Sequence, residues 1–115
     1  MNIREAIAVS STSSFPEEAC GLVLGYERVV TCSNVSEEPL TSFRIGPEEA
    51  EMWWATGKVT GVWHSHCFDP AVPSERDQEL AVPELECLIY SVLDEDLGVY
   101  FPDEQGLLQL VRFVG

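Results

Sequence analysis

The sequence predicts a single α/β (α+β) domain in which helices flank a mixed β-sheet. Short apolar runs of strand length alternate along the chain with segments that carry helix start and stop signals. No internal repeat and no low-complexity linker divides the sequence. A chain of 115 residues is long enough for one hydrophobic core but not for two, so we expect residues 1–115 to form one domain.

The first half of the chain is predicted to contain two helices and three strands. The predicted elements are a helix over 2–13, a strand over 20–25, its hairpin partner over 28–32, a brief strand over 43–45 and a helix from 47 to 57. Ile3 and Ile7 recur at helical spacing among polar neighbours, and Pro16 prevents the first helix from continuing. Pro47 suits the first turn of the second helix, because a missing N–H costs nothing there.

The second half is predicted to supply the centre and one edge of the sheet. Its elements are a strand over 58–63 that runs directly into His64, a helix over about 74–81, a central strand over 86–93, and a closing hairpin over 97–101 and 107–114. The run with Leu88, Ile89 and Val92 is apolar enough for a central strand. The turn residues at 102–106 explain the closing hairpin.

The charge of the chain restricts its partners. It carries 20 acidic and 6 basic side chains, for a formal net charge of -14. Such a field repels phosphate backbones and anionic lipid surfaces, so we expect neither a nucleic-acid nor a membrane partner. A basic peptide or protein surface would be attracted, although solubility alone is an equally good explanation of the acidity.

Cysteine usage and the N-terminus predict a cytoplasmic protein. Residues 1–5 lack the basic-then-apolar pattern of a secretory signal, and no apolar run is long enough to cross a bilayer. Cys20, Cys32, Cys67 and Cys87 are scattered, without a Cys-x-x-Cys pair. We therefore expect reduced thiols, with Cys20 and Cys87 buried in strands as small apolar residues.

Two histidines and two carboxylates occur at a spacing that suits a hydrolytic metal site. His64 and His66 lie two apart at the end of a predicted strand, so both imidazoles point to the same face. Ser74 and Asp77 lie three apart at the start of a predicted helix and also share a face. A catalytic zinc ion takes three protein ligands and leaves the fourth position to water. The two histidines and Asp77 can be these ligands, with Glu18 as the base.

Each of these segments also has a simpler explanation. A His-x-His pair on a strand usually serves surface or cross-strand packing. Ser74 and Asp77 are typical of a helix start, with the serine as N-cap and the aspartate in the first turn. The segment 16–18 can be a solvated turn. Together, in this order and spacing, the segments favour a metal site.

The pattern resembles a known family. His64-Ser65-His66, seven residues, Ser74 and Asp77 resemble the full metal motif of the JAMM (JAB/MPN) metallopeptidases. The resemblance covers nearly the whole chain and is closest to bacterial stand-alone and phage tail-assembly members. It implies a JAB/MPN domain with a cytidine-deaminase-like fold. It also implies that Zn²⁺ is bound by the two histidines and the aspartate together with a water.

The resemblance also implies the catalytic residues. The segment 16–22, Pro-Glu-Glu-Ala-Cys-Gly-Leu, is similar to the family segment that supplies the catalytic glutamate. Glu18 is preferred to Glu17 because it directly precedes the Ala-Cys-Gly run. Glu18 would accept and then return a proton, and Ser74 would donate a hydrogen bond to the developing oxyanion.

Three residues near the motif have open roles at this point. Many relatives have proline where this chain has Cys67, which is either a substituted loop residue or a thiolate that occupies the open zinc position. Trp63 and Phe68 flank the motif and either line a substrate groove or belong to the core.

The sequence therefore predicts a zinc-dependent isopeptidase or endopeptidase that hydrolyses a peptide or isopeptide bond of a protein tail. In the family, the substrates are commonly ubiquitin-like or sulfur-carrier proteins, whereas the phage-like resemblance favours a tail protein or a cell-wall peptide. The alternative is a non-catalytic scaffold or tail-assembly module on the same fold. A small-molecule deaminase is disfavoured because its zinc site needs a Cys-x-x-Cys arm. The sequence does not give the oligomeric state.

Overall fold

The computed structural model describes residues 1–115 and consists of three helices and one six-stranded sheet. The elements in chain order are α1 (Ile3–Ser14), β1 (Cys20–Leu24), β2 (Arg28–Cys32), α2 (Pro47–Trp54), β3 (Val59–His66), α3 (Glu75–Glu79), β4 (Glu86–Ser91), β5 (Asp96–Pro102) and β6 (Leu108–Val114). The strand order is β2-β1-β3-β4-β5-β6. Only β3 and β4 run parallel, so the predicted mixed sheet and α+β class are confirmed.

One face of the sheet is covered by α1. The helix begins after Asn2, whose side chain accepts a hydrogen bond from the Glu5 backbone N–H at 2.8 Å. The residues that form the core on this face include Ile7, Val23, Trp63, Leu88, Leu97 and Val99. Gly21 lies beneath the indole of Trp63, where an added Cβ would be 1.9 Å from the Val30 carbonyl oxygen. Only glycine therefore allows β1 to pass under this side chain.

The opposite face of the sheet carries the other two helices and the loop over 67–73. Trp53 of α2 packs against a cluster formed by Leu22, Leu24, Val30 and Cys32. Ala71 of the loop packs on Ile89 and Tyr100. Because side chains alternate along a strand, His64 and His66 of β3 project to this second face, whereas Trp63 and Ser65 project to the α1 face.

Several boundaries differ from the sequence predictions. The strand expected over 43–45 is reduced to a single bridge between Asn34 and Ile45, because the Asn34 side-chain oxygen accepts the Arg44 N–H at 3.1 Å in place of a backbone carbonyl. The helix expected over 74–81 is only five residues long. Strand β3 extends beyond the expected residue 63 to His66, because it stays paired with β4 as far as Ser91.

The four cysteines are free thiols, as expected. Cys20 is buried, as predicted, whereas Cys87 is only half-buried because it lies under a shallow apolar hollow near the end of α3. The three helices are too short and too polar to cross a bilayer.

Candidate metal centre

The sheet and α3 bring three ligand-type side chains to one point. His64 Nε2 lies 3.2 Å from His66 Nε2 and 3.2 Å from Asp77 Oδ1. His66 Nε2 lies 3.1 Å from the other carboxylate oxygen of Asp77. All three residues are buried. The predicted trio thus assembles into one compact His-His-Asp cluster that can hold a metal ion.

The spacing and chemistry of these atoms fit a tetrahedral zinc ion. Bonds of about 2.0–2.1 Å at tetrahedral angles place ligand atoms roughly 3.3 Å apart, close to the spacing observed. His66 Nδ1 donates to the Pro70 carbonyl oxygen at 2.9 Å, and this oxygen can only accept. In its neutral form the ring therefore carries its proton on Nδ1, which leaves the Nε2 lone pair facing the cluster for a metal ion. Nitrogen and carboxylate donors of this kind are typical zinc ligands.

The N-terminus of α3 fixes the orientation of the Asp77 carboxylate. The Asp77 backbone N–H donates to Ser74 Oγ at 3.1 Å, and the Ser74 N–H donates to Asp77 Oδ2 at 2.9 Å. This reciprocal pair is a capping box. Ser74 is therefore the N-cap of α3, as the simpler explanation predicted. This role is compatible with the cluster, because the same capping box positions the Asp77 carboxylate. The Ser74 hydroxyl accepts within the cap, so its own proton remains free for donation.

The charges in the cluster are strongly coupled. Burial opposes ionisation of Asp77, but hydrogen bonds from both histidines outweigh it and hold the pKa of that carboxyl well below its usual range. Burial lowers the pKa of His64. Burial also acts to lower the pKa of His66, yet its bonds to Asp77 and Pro70 prevail and the pKa is raised. At neutral pH the site thus offers an ionised carboxylate beside at least one neutral imidazole.

A cleft of about 330 Å³ opens beside the cluster and contains the predicted base. Glu18, His66, Ser74 and Asp77 line its wall. Burial raises the pKa of Glu18 to about 7, against a smaller opposing effect of the nearby His66. Glu17 is exposed and does not line this cleft. Of the two adjacent acids, the structure brings Glu18 to the site and leaves Glu17 outside.

The segment that carries Glu18 is tied to the strand that carries the histidines. Ser65 Oγ accepts the Ala19 backbone N–H at 2.8 Å, and the Ser65 N–H donates to the Ala19 carbonyl at 3.0 Å. On the other side, the Asn34 amide donates to the Glu18 carbonyl oxygen at 2.9 Å. These bonds hold the backbone at Glu18 and therefore limit how far its side chain can move from the cluster.

Cys67 does not belong to the cluster. Its thiol points to the opposite side of the chain, where it donates to the Glu17 carbonyl oxygen at 3.4 Å. The possibility that it closes the open zinc position thus has no support in the geometry. The groove role considered for Trp63 is wrong, because this side chain is fully buried on the α1 face. Phe68 is exposed and packs on Phe15 with ring centroids 5.6 Å apart, so it is not a core residue, and its groove role stays a prediction.

Sequence reasoning missed three neighbours of the cluster. The Phe43 ring stacks on His64, with centroids 4.4 Å apart and planes 18° from parallel. The Pro70 carbonyl orients His66, and Asn34 holds the backbone of Glu18. No local signal marks them, because each acts across the fold through packing or backbone contacts.

A mixed sheet that presents a buried His-His-Asp cluster beside a buried glutamate defines a JAB-type domain. The chain belongs to the family of prokaryotic homologs of the JAB domain, whose family model matches residues 2–102. It is also 36% identical over 80 residues to tail tip assembly protein K of Escherichia phage N15. That match covers 64% of this chain and 32% of the relative, so the chain matches only about a third of the phage protein's length. The resemblance seen in the motif is confirmed.

Proposed function

We propose that this chain is a zinc-dependent metallopeptidase that hydrolyses a peptide or isopeptide bond. The observation that carries the proposal is the convergence of His64, His66 and Asp77 at 3.1–3.2 Å beside a cleft that contains a buried glutamate. The nearby thiol of Cys67 is bonded elsewhere, so three protein ligands leave a position for water or substrate.

Each polar residue of the cleft has a separate role in the proposed hydrolysis. Zinc, when bound, acidifies water to a pKa of about 7 and polarises a carbonyl oxygen. Glu18, with its own pKa near 7, accepts a proton from the attacking water and returns it to the departing amine. The free proton of the Ser74 hydroxyl donates to the oxyanion that develops on the substrate carbonyl. Asp77 keeps its orientation through the capping box while it acts as a ligand.

The substrate class follows from the relatives rather than from the site. One relative is named a tail tip assembly protein, which favours a phage tail protein as the substrate. A cell-wall peptide is the other substrate that the phage-like resemblance of the sequence suggests. A ubiquitin-like or sulfur-carrier tail is the alternative substrate of the same reaction. The charge of -14 favours a substrate that is basic outside the cleft.

A non-catalytic tail-assembly module is the second candidate, and the name of the phage relative favours it. Such a module has no need of a buried carboxyl in the cleft, where its ionised form is costly. The position of Glu18 therefore favours the enzyme.

The test begins with the metal content of wild-type protein, His66→Ala and Cys67→Ser. We expect about one zinc per chain in the wild type and in Cys67→Ser, and none in His66→Ala. Zinc lost in Cys67→Ser would indicate a closed, structural site and support the scaffold. No metal after reconstitution would contradict the peptidase.

Activity is tested next on internally quenched peptides and on tail proteins. Glu18→Gln should abolish turnover while zinc remains bound, and the adjacent Glu17→Gln is the matched control that should retain full turnover. Full activity in Glu18→Gln would show that another residue is the base.

A further inference from the structure

Two arginines stand beside the metal cleft in a chain that has few basic residues. Only 6 basic side chains accompany the 20 acidic ones. Arg76 lines the cleft that contains Glu18 and Asp77. Arg44 and Arg76 together line an adjoining hollow of about 370 Å³. A third of the basic side chains is therefore concentrated next to the candidate active site.

Neither guanidinium has a partner within the protein. The only ion pairs within 4.0 Å are the two between the histidines and the aspartate of the metal cluster. Arg4, by contrast, donates to a backbone carbonyl, and Arg28 lies 5.6 Å from the centre of the Trp53 ring. Arg44 and Arg76 make no such contact, so both remain available to a ligand.

Acidic neighbours do not neutralise this pair by direct contact. The acidic side chains that share these walls are Glu18, Asp69 and Asp77 in the cleft and Glu37 and Glu38 in the adjoining hollow. None of their carboxylate oxygens lies within 4.0 Å of Arg44 or Arg76. The charge of Arg76 also reaches the cleft, because it counteracts part of the rise that burial causes in the pKa of Glu18. The positive charge of the Arg76 guanidinium therefore influences the Glu18 carboxyl inside the cleft.

We propose that Arg76, assisted by Arg44, binds a carboxylate of the substrate close to the hydrolysed bond. The carboxylate is either an acidic side chain or a free C-terminus, since both present the same two oxygens to the planar guanidinium. Arg76 lines the same cleft as Glu18 and Asp77, so the bound carboxylate lies close to the hydrolysed bond. This inference rests on the proposed peptidase function.

The test compares matched peptides on the zinc-loaded protein. Internally quenched peptides carry Glu or Gln at each position around the scissile bond, and a second set ends in a free carboxylate or an amide. We expect kcat/KM to be at least tenfold higher for one carboxylate peptide than for its neutral partner, and the set that shows this identifies the source. In Arg76→Gln the two partners should be cleaved equally. Arg76→Lys should retain part of the preference, because lysine keeps the positive charge but lacks the planar guanidinium that donates two parallel hydrogen bonds to a carboxylate.

The control is Arg112→Gln, which removes an exposed arginine of β6 far along the sheet and should leave the preference intact. Equal cleavage of charged and neutral peptides by the wild type would overturn the inference while the peptidase function stands.

A second measurement separates the two proposals if no peptide is cleaved. N-acetylglutamate amide and N-acetylglutamine amide are titrated into zinc-loaded protein, and the arginine side-chain N–H signals are followed by NMR. A shift of the signal that Arg76→Gln removes, caused by the acidic probe only, supports the carboxylate site even though the peptidase proposal fails. No shift with either probe overturns the inference.

Discussion

Replacing Glu18 by Gln should stabilise the metal-free protein at alkaline pH. The side chain is only 7% exposed, and burial raises its pKa from 4.5 to about 7. This difference between the folded and unfolded pKa means that the fold destabilises the ionised carboxylate by about 3 kcal/mol. Water in the cleft screens part of it, so we expect a gain of about 2 kcal/mol at pH 8. For a domain of this size, that is a rise in Tm of roughly 6–12 °C.

The stability gained by Glu18→Gln should increase as the pH rises. The folded-state pKa of Glu18 lies above the unfolded value, so the unfolded chain releases its proton first as pH rises. Wild-type stability relative to Glu18→Gln therefore falls between pH 4.5 and about pH 7 and is constant above that window. Below pH 4.5 the two proteins should be equally stable, because the carboxyl is neutral in both states.

The assay is urea unfolding in the presence of a chelator at pH 4 and pH 8. Glu17→Gln is the matched control, since this exposed neighbour should change the free energy of unfolding by less than about 0.5 kcal/mol. The reasoning is refuted if Glu18→Gln is no more stable than Glu17→Gln at pH 8, or if its gain is as large at pH 4. Zinc should reduce the gain, because the ion favours the ionised glutamate.

Three further predictions concern packing, the cap and the cluster. Gly21→Ala should cost more than roughly 3 kcal/mol or prevent folding, because the new Cβ would lie 1.9 Å from the Val30 carbonyl oxygen; thermal unfolding measures this. Ser74→Ala should cost about 1 kcal/mol of metal-free stability through the lost cap, and should also weaken zinc affinity because Asp77 loses its orientation. A loss of stability with unchanged zinc affinity would contradict the second part. Zinc affinity should fall as the pH is lowered, and the fall should begin at a higher pH than for a free imidazole, because the raised pKa of His66 makes protons compete for Nε2. Competition with a chromophoric chelator between pH 8 and pH 5 would detect this, and a flat profile would exclude His66 as a ligand.

The sequence was informative wherever the signal was local. The two-residue period of His64 and His66 and the three-residue spacing of Ser74 and Asp77 were sufficient to predict which side chains share a face. Strand and helix order followed from apolar runs bounded by glycine and proline. These signals depend on a few neighbouring residues, so they survive without knowledge of the fold.

The remaining features depend on contacts between distant segments. Phe43 could not be placed on His64 from the sequence, because the loop that carries it has no regular periodicity. The burial that raises the pKa of Glu18 also depends on the fold, which brings Pro39 to the Glu18 backbone N–H and Asn34 to the Glu18 carbonyl oxygen. Helix α3 was predicted too long because its N-terminal capping signal is strong, while no residue of the sequence marks its C-terminal end at Leu80.

Both faces of the strand segment His64-Ser65-His66 contribute to the candidate site, and this limits how the domain can diversify. One face of the strand supplies two members of the His-His-Asp cluster, and the other supplies the hydroxyl that holds Ala19, the neighbour of Glu18. The separation between Glu18 and the His-His-Asp cluster is therefore set by strand register, which cannot change in small steps. The loops over 36–42 and 67–73 border the cleft without setting that separation. Under the proposed function, insertions and exchanges in these loops alter which substrates enter while Glu18 and the cluster keep their spacing.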